Sequence, residues 1–297
     1  MNTLREVDDT EVGPGQLTKR ERACKYRVRP ATRDDIDDIV EVDLRSFNRV
    51  YSGYDQVPAN LRGELREKFT GRLDLIGGDW MPVLEFGDRI VGFMMCCPTS
   101  RKPEEFVSWE STTDNGTLRT TYDPDGRNVY VVTLSVLPQG SGGKDMLFAY
   151  QIGRILRDGY DLGFFESRLP GLRAWVLANY CDGSESVLAS LTPRQRARCA
   201  AEYFEKTEQV RDRTVRYDRL IRLYERVGCK PVRLVPDAYR DGPSLDFGVV
   251  CVYDGSVLFD GSVLPVRLPR TRLTRWALGM AMHHAARSEK VTRLLFA

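Results

Sequence analysis

Apolar positions along the chain alternate between strand-like and helix-like spacing, and the change from one to the other marks most of its elements. Tyr26 and Val28 alternate with basic residues in a short strand that stops at Pro30. Thr32 and Asp35 form a capping-box pattern, after which Ile36, Ile39, Val40, Leu44 and Phe47 share one helical face. Leu61, Leu65 and Phe69 predict a second helix. Pro82 to Phe86, a Gly87-Asp88 turn and Ile90 to Cys97 read as a hairpin. A turn-rich connection over 98–127 follows, punctuated by Asp114-Asn115-Gly116 and Asp123-Pro124-Asp125-Gly126.

The rest of the chain is organised around residues 128–167. Asn128 to Pro138 is rich in β-branched and aromatic residues, as a buried strand is. The turn Gln139-Gly140-Ser141-Gly142-Gly143-Lys144 has little side chain and can turn successive backbone N–H groups toward an anion. From Lys144 the residues Met146, Leu147, Tyr150, Ile152, Ile155 and Leu156 recur at roughly helical spacing, and Gly159 stands where a helix ends. Leu162 to Ser167 reads as the next strand. Strand, glycine turn, helix and strand together aim a helix N-terminus at a phosphate. The alternative is an ordinary connection whose glycines only shape the backbone. Neither a Gly-Lys-Ser/Thr phosphate loop nor a strict Gly-x-Gly-x-x-Gly is present.

Past that unit, 169–216 reads as an insertion, with Pro170-Gly171, aromatic residues around Trp175 and a charged helical segment from Pro193 to about Arg213. Leu220, Ile221, Tyr224 and Val227 then hold one helical face, which Gly228 ends. Pro231 to Val235 and Asp246 to Tyr253 predict two strands. In the last stretch, 254–297, Val257 to Phe259 and Ser262 to Arg267 predict a hairpin, and Leu273, Trp276, Ala277 and Met280 start an amphipathic helix. Arg267, Arg270, Arg272 and Arg275 make that stretch basic, which reads either as a solvated face or as a surface for an acidic partner.

Charge and composition narrow the classes. Across 297 residues, 44 basic and 42 acidic side chains nearly cancel, so bulk charge does not argue for nucleic acid. The 42% of apolar residues suffices for a core, and no run approaches a membrane span or a signal pattern, so a soluble cytoplasmic protein is expected. Seven cysteines without Cys-x-x-Cys argue against a disulfide framework, and Cys96-Cys97 is expected reduced in a buried strand. The two histidines, His283 and His284, are adjacent near the end, which disfavours a histidine metal site or a histidine-activated nucleophile. No metal is therefore expected.

Leu134, Val136, Pro138, Gln139 and Gly142 resemble the acyl-CoA signature of the GNAT superfamily of acyltransferases, Gln/Arg-x-x-Gly-x-Gly/Ala after Leu-x-Val-x-Pro. Gln139 follows Pro138 directly, two residues earlier than the family places it, and Lys144 replaces the last small residue; the ungapped register instead selects Ser141, Lys144 and Met146. Leu223-Tyr224-Glu225-Arg226-Val227-Gly228-Cys229 resembles the family's Tyr-x-x-x-Gly-Phe element, with Cys229 in place of Phe. The resemblance covers about 25–253 and implies the GNAT fold: an α/β, mostly antiparallel mixed sheet flanked by helices, here with a polar tail over 1–24, the 169–216 insertion and a C-terminal extension over 254–297.

It also implies an acyltransferase, N-acetyltransferase-like, that takes an acyl group such as acetyl from acyl-CoA or from the phosphopantetheine of an acyl carrier protein. The acceptor would be an amine or hydroxyl of a small molecule in a biosynthetic pathway. The donor would lie on Leu134, Val136 and the turn of Gln139, Gly140, Ser141, Gly142, Gly143 and Lys144. Tyr224 would protonate the departing thiolate, unless it only packs the core. Glu166 is the first choice of base and Asp43 the second, while Tyr51, Tyr54 and Trp80 are candidates to touch the acceptor. The other function class is a catalytically degenerate binding protein of the same fold, which the altered turn suggests.

Overall fold

The computed structural model describes residues 26–47, 60–260 and 267–296. Its strands are β1 (Tyr26–Pro30), β2 (Pro82–Phe86), β3 (Arg89–Thr99), β4 (Asn128–Val136), β5 (Leu162–Arg168), β6 (Thr207–Val210), β7 (Arg213–Arg216), β8 (Lys230–Val235) and β9 (Gly248–Tyr253). The helices are α1 (Ile36–Ser46), α2 (Leu61–Ile76), α3 (Trp109–Thr112), α4 (Lys144–Arg157), α5 (Leu172–Tyr180), α6 (Glu185–Ser190), α7 (Pro193–Glu205), α8 (Arg219–Arg226), α9 (Arg272–Ala285) and α10 (Glu289–Leu295).

Seven strands form one sheet in the order β1-β2-β3-β4-β5-β9-β8, and β6 and β7 pair separately. Neighbours in the large sheet are antiparallel except β4 and β5, which are joined by α4 as a parallel crossover. That parallel ladder is short, running only from Asn128↔Leu162 to Tyr130↔Phe164. Immediately beyond it β4 bulges against β3, because Met95 pairs with Thr133 while Cys96 pairs with Val131, leaving Val132 extra. A bulge bends its strand and raises the local twist. From there β4 follows β3 and β5 follows β9, so the sheet opens between the two central strands.

The C-terminal extension is part of the packed body. α9 lies antiparallel along α4, and the two helices touch through glycine: a Cβ on Gly153 would sit 2.7 Å from the His283 backbone nitrogen and 2.9 Å from the Gly279 carbonyl. Only residues without a side chain permit that approach. α10 then carries the chain back to the start of α4, with Phe296 buried.

Two expected elements differ. The segment after Pro193 is helical only to Glu205; β-branched residues on either side of a turn at Arg211, whose φ is +54°, make the β6–β7 hairpin. Val257 to Phe259 is a 3-10 turn (Ser256–Leu258), not a strand, because Asp254 accepts the Ser256 N–H and Leu258 and Phe259 both turn into the core. The tail over 1–24, Tyr51, Tyr54 and the second half of the expected C-terminal hairpin lie outside the described residues. Cys96 and Cys97 are buried and unbridged in β3, and no helix among the described residues is long and apolar enough to cross a membrane.

Candidate functional site

The opening between β4 and β5 gathers the expected site residues from three directions. Leu134 and Val136 line the separated part of β4, paired to Met94 and Gly92 of β3. The turn from Gln139 to Gly143 joins that strand to α4. Tyr224 on α8 packs its ring against Phe165 of β5 at 4.6 Å between centroids and against Phe148 of α4 at 6.2 Å. Burial pushes its phenol well up, so the hydroxyl stays protonated and can act only by giving its hydrogen.

Adjacent residues of a strand face opposite ways. Phe165 meets Tyr224 of α8, so Glu166 points to the other face, where the structure assembles a polar cluster absent from the sequence expectations. The Tyr130 hydroxyl donates to the Glu166 carboxyl, 2.6 Å from either oxygen, and the Tyr239 hydroxyl donates to the Glu166 backbone carbonyl at 2.6 Å. Arg168, two residues along the same face, pairs with buried Asp241, which also accepts from Ser244. The Arg168 Nε is buried without a hydrogen-bond partner among the described residues. Burial raises the Glu166 carboxyl to about 8, against the smaller lowering by the Tyr130 hydrogen bond. It is therefore mostly neutral at pH 7. Tyr130 and Tyr239 are raised as well, first by burial and then by Glu166.

Trp109 of α3 closes this face, donating its indole N–H to the Val132 carbonyl at the bulge, 3.1 Å away. Asp43, the second candidate base, is buried on α1 and acts on Lys68 of α2. Trp80 does not join the cluster. Its ring lies under the Arg154 guanidinium at 3.9 Å and edge-on to Tyr160, so cation–π packing on the α4 side accounts for it.

The glycine turn is packed against protein. A Cβ on Gly140 would come within 2.8 Å of the Val91 carbonyl and the Val136 side chain, and one on Gly143 within 2.8 Å of the Tyr26 ring. On Gly142 it would touch Tyr26 and Arg293 at 3.1 Å. No turn residue from Gly140 to Gly143 has a positive φ, so close approach is what requires glycine here. The N–H groups of Gly140, Ser141 and Gly143 bond to the carbonyls three residues back. Tyr26 bridges the turn, donating its hydroxyl to the Gln139 carbonyl at 2.6 Å and receiving the Gly142 N–H. At the first turn of α4, buried Asp145 accepts two hydrogen bonds from Arg226 of α8, at 2.7 and 3.1 Å, and Arg226 also reaches the Phe296 carbonyl. Lys144, Arg226 and Arg293 thus stand around the helix N-terminus, two of them paired with carboxylates, Arg226 with Asp145 and Arg293 with Glu289.

An extended chain bearing amides can hydrogen-bond to a strand edge released from its neighbour, as β4 is beyond Tyr130. No group of three acidic, histidine or cysteine side chains among the described residues is placed to hold a metal.

No family model matches this sequence, and no curated protein matches it. Solved structures do. The loading GNATL domain of CurA from Lyngbya majuscula superposes with a TM-score of 0.54 at 19% identity, covering 77% of this chain and 98% of that domain. Malonyl-CoA decarboxylase from Cupriavidus metallidurans gives 0.52 at 15% identity over 84% of this chain and 67% of its own. The GphF GNAT-like decarboxylase in complex with isobutyryl-CoA gives 0.49 at 20% identity, over 77% and 98%. With the parallel β4–β5 pair opening beyond its bulge, the likeness to the loading GNATL domain shows that the chain has the GNAT fold.

Proposed function

We propose that the protein is an acyltransferase working on a phosphopantetheine thioester, from acyl-CoA or an acyl carrier protein, with an amine or hydroxyl of a small molecule as acceptor. The observation that carries the reading is the end of the β4–β5 ladder at Tyr130 and Phe164, with Tyr224 and Glu166 on opposite faces of the freed part of β5. A thioester entering the opening has Tyr224 on the α4 side and Glu166 on the α1 side. The acceptor attacks the carbonyl carbon and loses its proton to the Glu166 carboxylate; the C–S bond then breaks and Tyr224 protonates the thiolate. The test is thiol release from acetyl-CoA and from acetylated carrier protein across a panel of amines and alcohols, with acylated product identified by mass.

One observation favours a second chemistry on the same residues. A carboxyl held neutral near pH 7 gives a proton more readily than it takes one. In decarboxylation of a carboxyacyl thioester the C–C bond to the carboxylate breaks, CO2 leaves, its electron pair passes to the α-carbon, and neutral Glu166 protonates that carbon. The fold likeness to malonyl-CoA decarboxylase supports including this reaction. Conversion of malonyl-CoA to acetyl-CoA without thiol release would identify it. Absence of both reactions, with thioester still bound, would leave the degenerate binding protein that the packed turn favours.

A further inference from the structure

Along the side of α4 away from the β4–β5 opening, β1, α4 and the end of α9 enclose a cavity of about 510 Å³ that the acyl-transfer reading does not use. Five arginines line it against one carboxylate, Asp79. Four of them have carboxylate partners: Arg29 pairs with Asp35 and Glu85 at 2.7 and 2.6 Å, Arg157 with Asp158 at 2.6 Å, Arg154 through its Nε with Asp158 at 3.3 Å, and Arg27 loosely with Glu85 at 4.0 Å. Donor capacity remains at the far end of Arg154 and on Arg287. Arg154, held over the Trp80 ring, leaves its Nη1 buried without a hydrogen bond among the described residues, with the Asp79 carboxylate 3.7 Å away. The His283 Nδ1 is likewise buried and unpartnered, its ring 4.7 Å from that of Tyr150. Arg27 and Arg287 stand at the exposed rim.

Buried polar atoms without partners are costly, and a bound ligand that supplies those partners is one way a structure keeps them. Planar guanidinium groups beside an imidazole suit the oxygens of a phosphate, and the volume is that of a small-molecule site. We propose that this cavity is a second binding site for a phosphorylated small molecule, held by Arg154 and His283 at the base and by Arg287 at the rim. The inference does not depend on the acyl-transfer reading. His283 is lowered by burial and then by Arg157 and Arg287, with Arg154 adding to this and Asp79 opposing it, so a bound phosphate would reverse the dominant charge effect on the ring.

The chain has only two histidines, so imidazole NMR reads the site directly. Inorganic phosphate and pyrophosphate are titrated into the full chain, with citrate as the carboxylate comparison, alongside calorimetry. The expected result is saturable phosphate binding that raises the His283 pKa, weakened at least about 10-fold by Arg287→Glu and by Arg154→Gln but unchanged by Gly142→Val at the glycine turn. Arg287 is exposed, so its variant tests the site even if Arg154→Gln fails to fold. Absence of saturable binding, equal preference for citrate, an unmoved His283 or indifference to Arg287→Glu would each overturn the proposal. Loss of phosphate binding in a folded Gly142→Val protein would also overturn it, by assigning the anion to the turn.

Discussion

Glu166 lies two residues past the last parallel pair of the β4–β5 ladder, and its titration separates the two proposed chemistries. Its carboxyl is raised from the ordinary 4.5 to about 8 by burial. If it acts as the base of acyl transfer, turnover climbs with pH to a plateau above about 8; if it is the proton donor of decarboxylation, turnover falls above that value. A pH–rate profile decides the sign, and Glu166→Gln should flatten that limb while lowering turnover. Stability follows by linkage. A carboxyl with a raised folded pKa contributes stability that is fully present below its unfolded value and is lost as pH rises through about 8. Glu166→Gln, which cannot ionise, should therefore unfold at a higher temperature relative to wild type at pH 9 than at pH 5. Tyr224→Phe keeps the ring packing against Phe165 and removes the hydroxyl, so we expect turnover to drop by about 100- to 10,000-fold with thioester binding nearly intact. Wild-type turnover in that variant would assign Tyr224 to packing alone.

At the scale of elements, the contact between α4 and α9 gives a test in which two physical effects oppose each other. Helix propensity alone predicts that Gly279→Ala stabilises by about 1 kcal/mol. A Cβ there would instead meet the Arg157 nitrogen and the Gly153 carbonyl, both backbone, so the helices must part and a loss of about 1–3 kcal/mol is expected. Gly71, on the exposed side of α2 with nothing near its Cβ, is the control: Gly71→Ala should gain about 0.5–1 kcal/mol. Thermal unfolding that rises for both variants would rule out the glycine crossing. This contact also marks where sequence reading stops. β1 to β5, α1, α2 and α4 are legible because each carries its own period and punctuation, and Gly159, with a φ of +80°, ends α4 as its position suggests. Glu166 and Tyr224 are legible only through the resemblance. The partners of Glu166 are not legible, because Tyr130 reaches it from 36 residues away by strand register and Tyr239 from 73 residues away out of the connection between β8 and β9. Nor is the opening of the sheet, since Val132 becomes a bulge only against β3. Nothing local in Gly142 shows that Tyr26 will cover it.

For the whole molecule, the open question is which donor can reach the opening, and charge placement bears on it. The sequence suggests that Arg267 to Arg275 would meet an acidic carrier protein. In the structure that segment lies by Tyr160, whose carbonyl accepts from Arg275, at the far end of α4 from the glycine turn. A helix of that length separates the two ends by about 20 Å. The cations at the turn are Lys144, Arg226 and Arg293, and the last stands beside Gly142 on α10. With Tyr26 covering the turn and three of its N–H groups bonded internally, little of the backbone is left for a pyrophosphate; we propose instead that a phosphodiester on an acidic carrier would meet Lys144 and the outer face of Arg293, which is paired with Glu289, while Arg226 is held by Asp145. We expect Arg293→Glu to raise the KM for carrier-bound donor by about 10-fold or more, a loss of about 1.4 kcal/mol, at unchanged kcat. Arg272→Glu, exposed at the opposite end of α4, should leave that KM within about twofold. The comparison is made with one acyl group on CoA and on a cognate carrier protein. Equal turnover with both donors and equal indifference to both charge reversals would remove the carrier from the reading; a larger effect at Arg272 would return the docking surface to the start of α9.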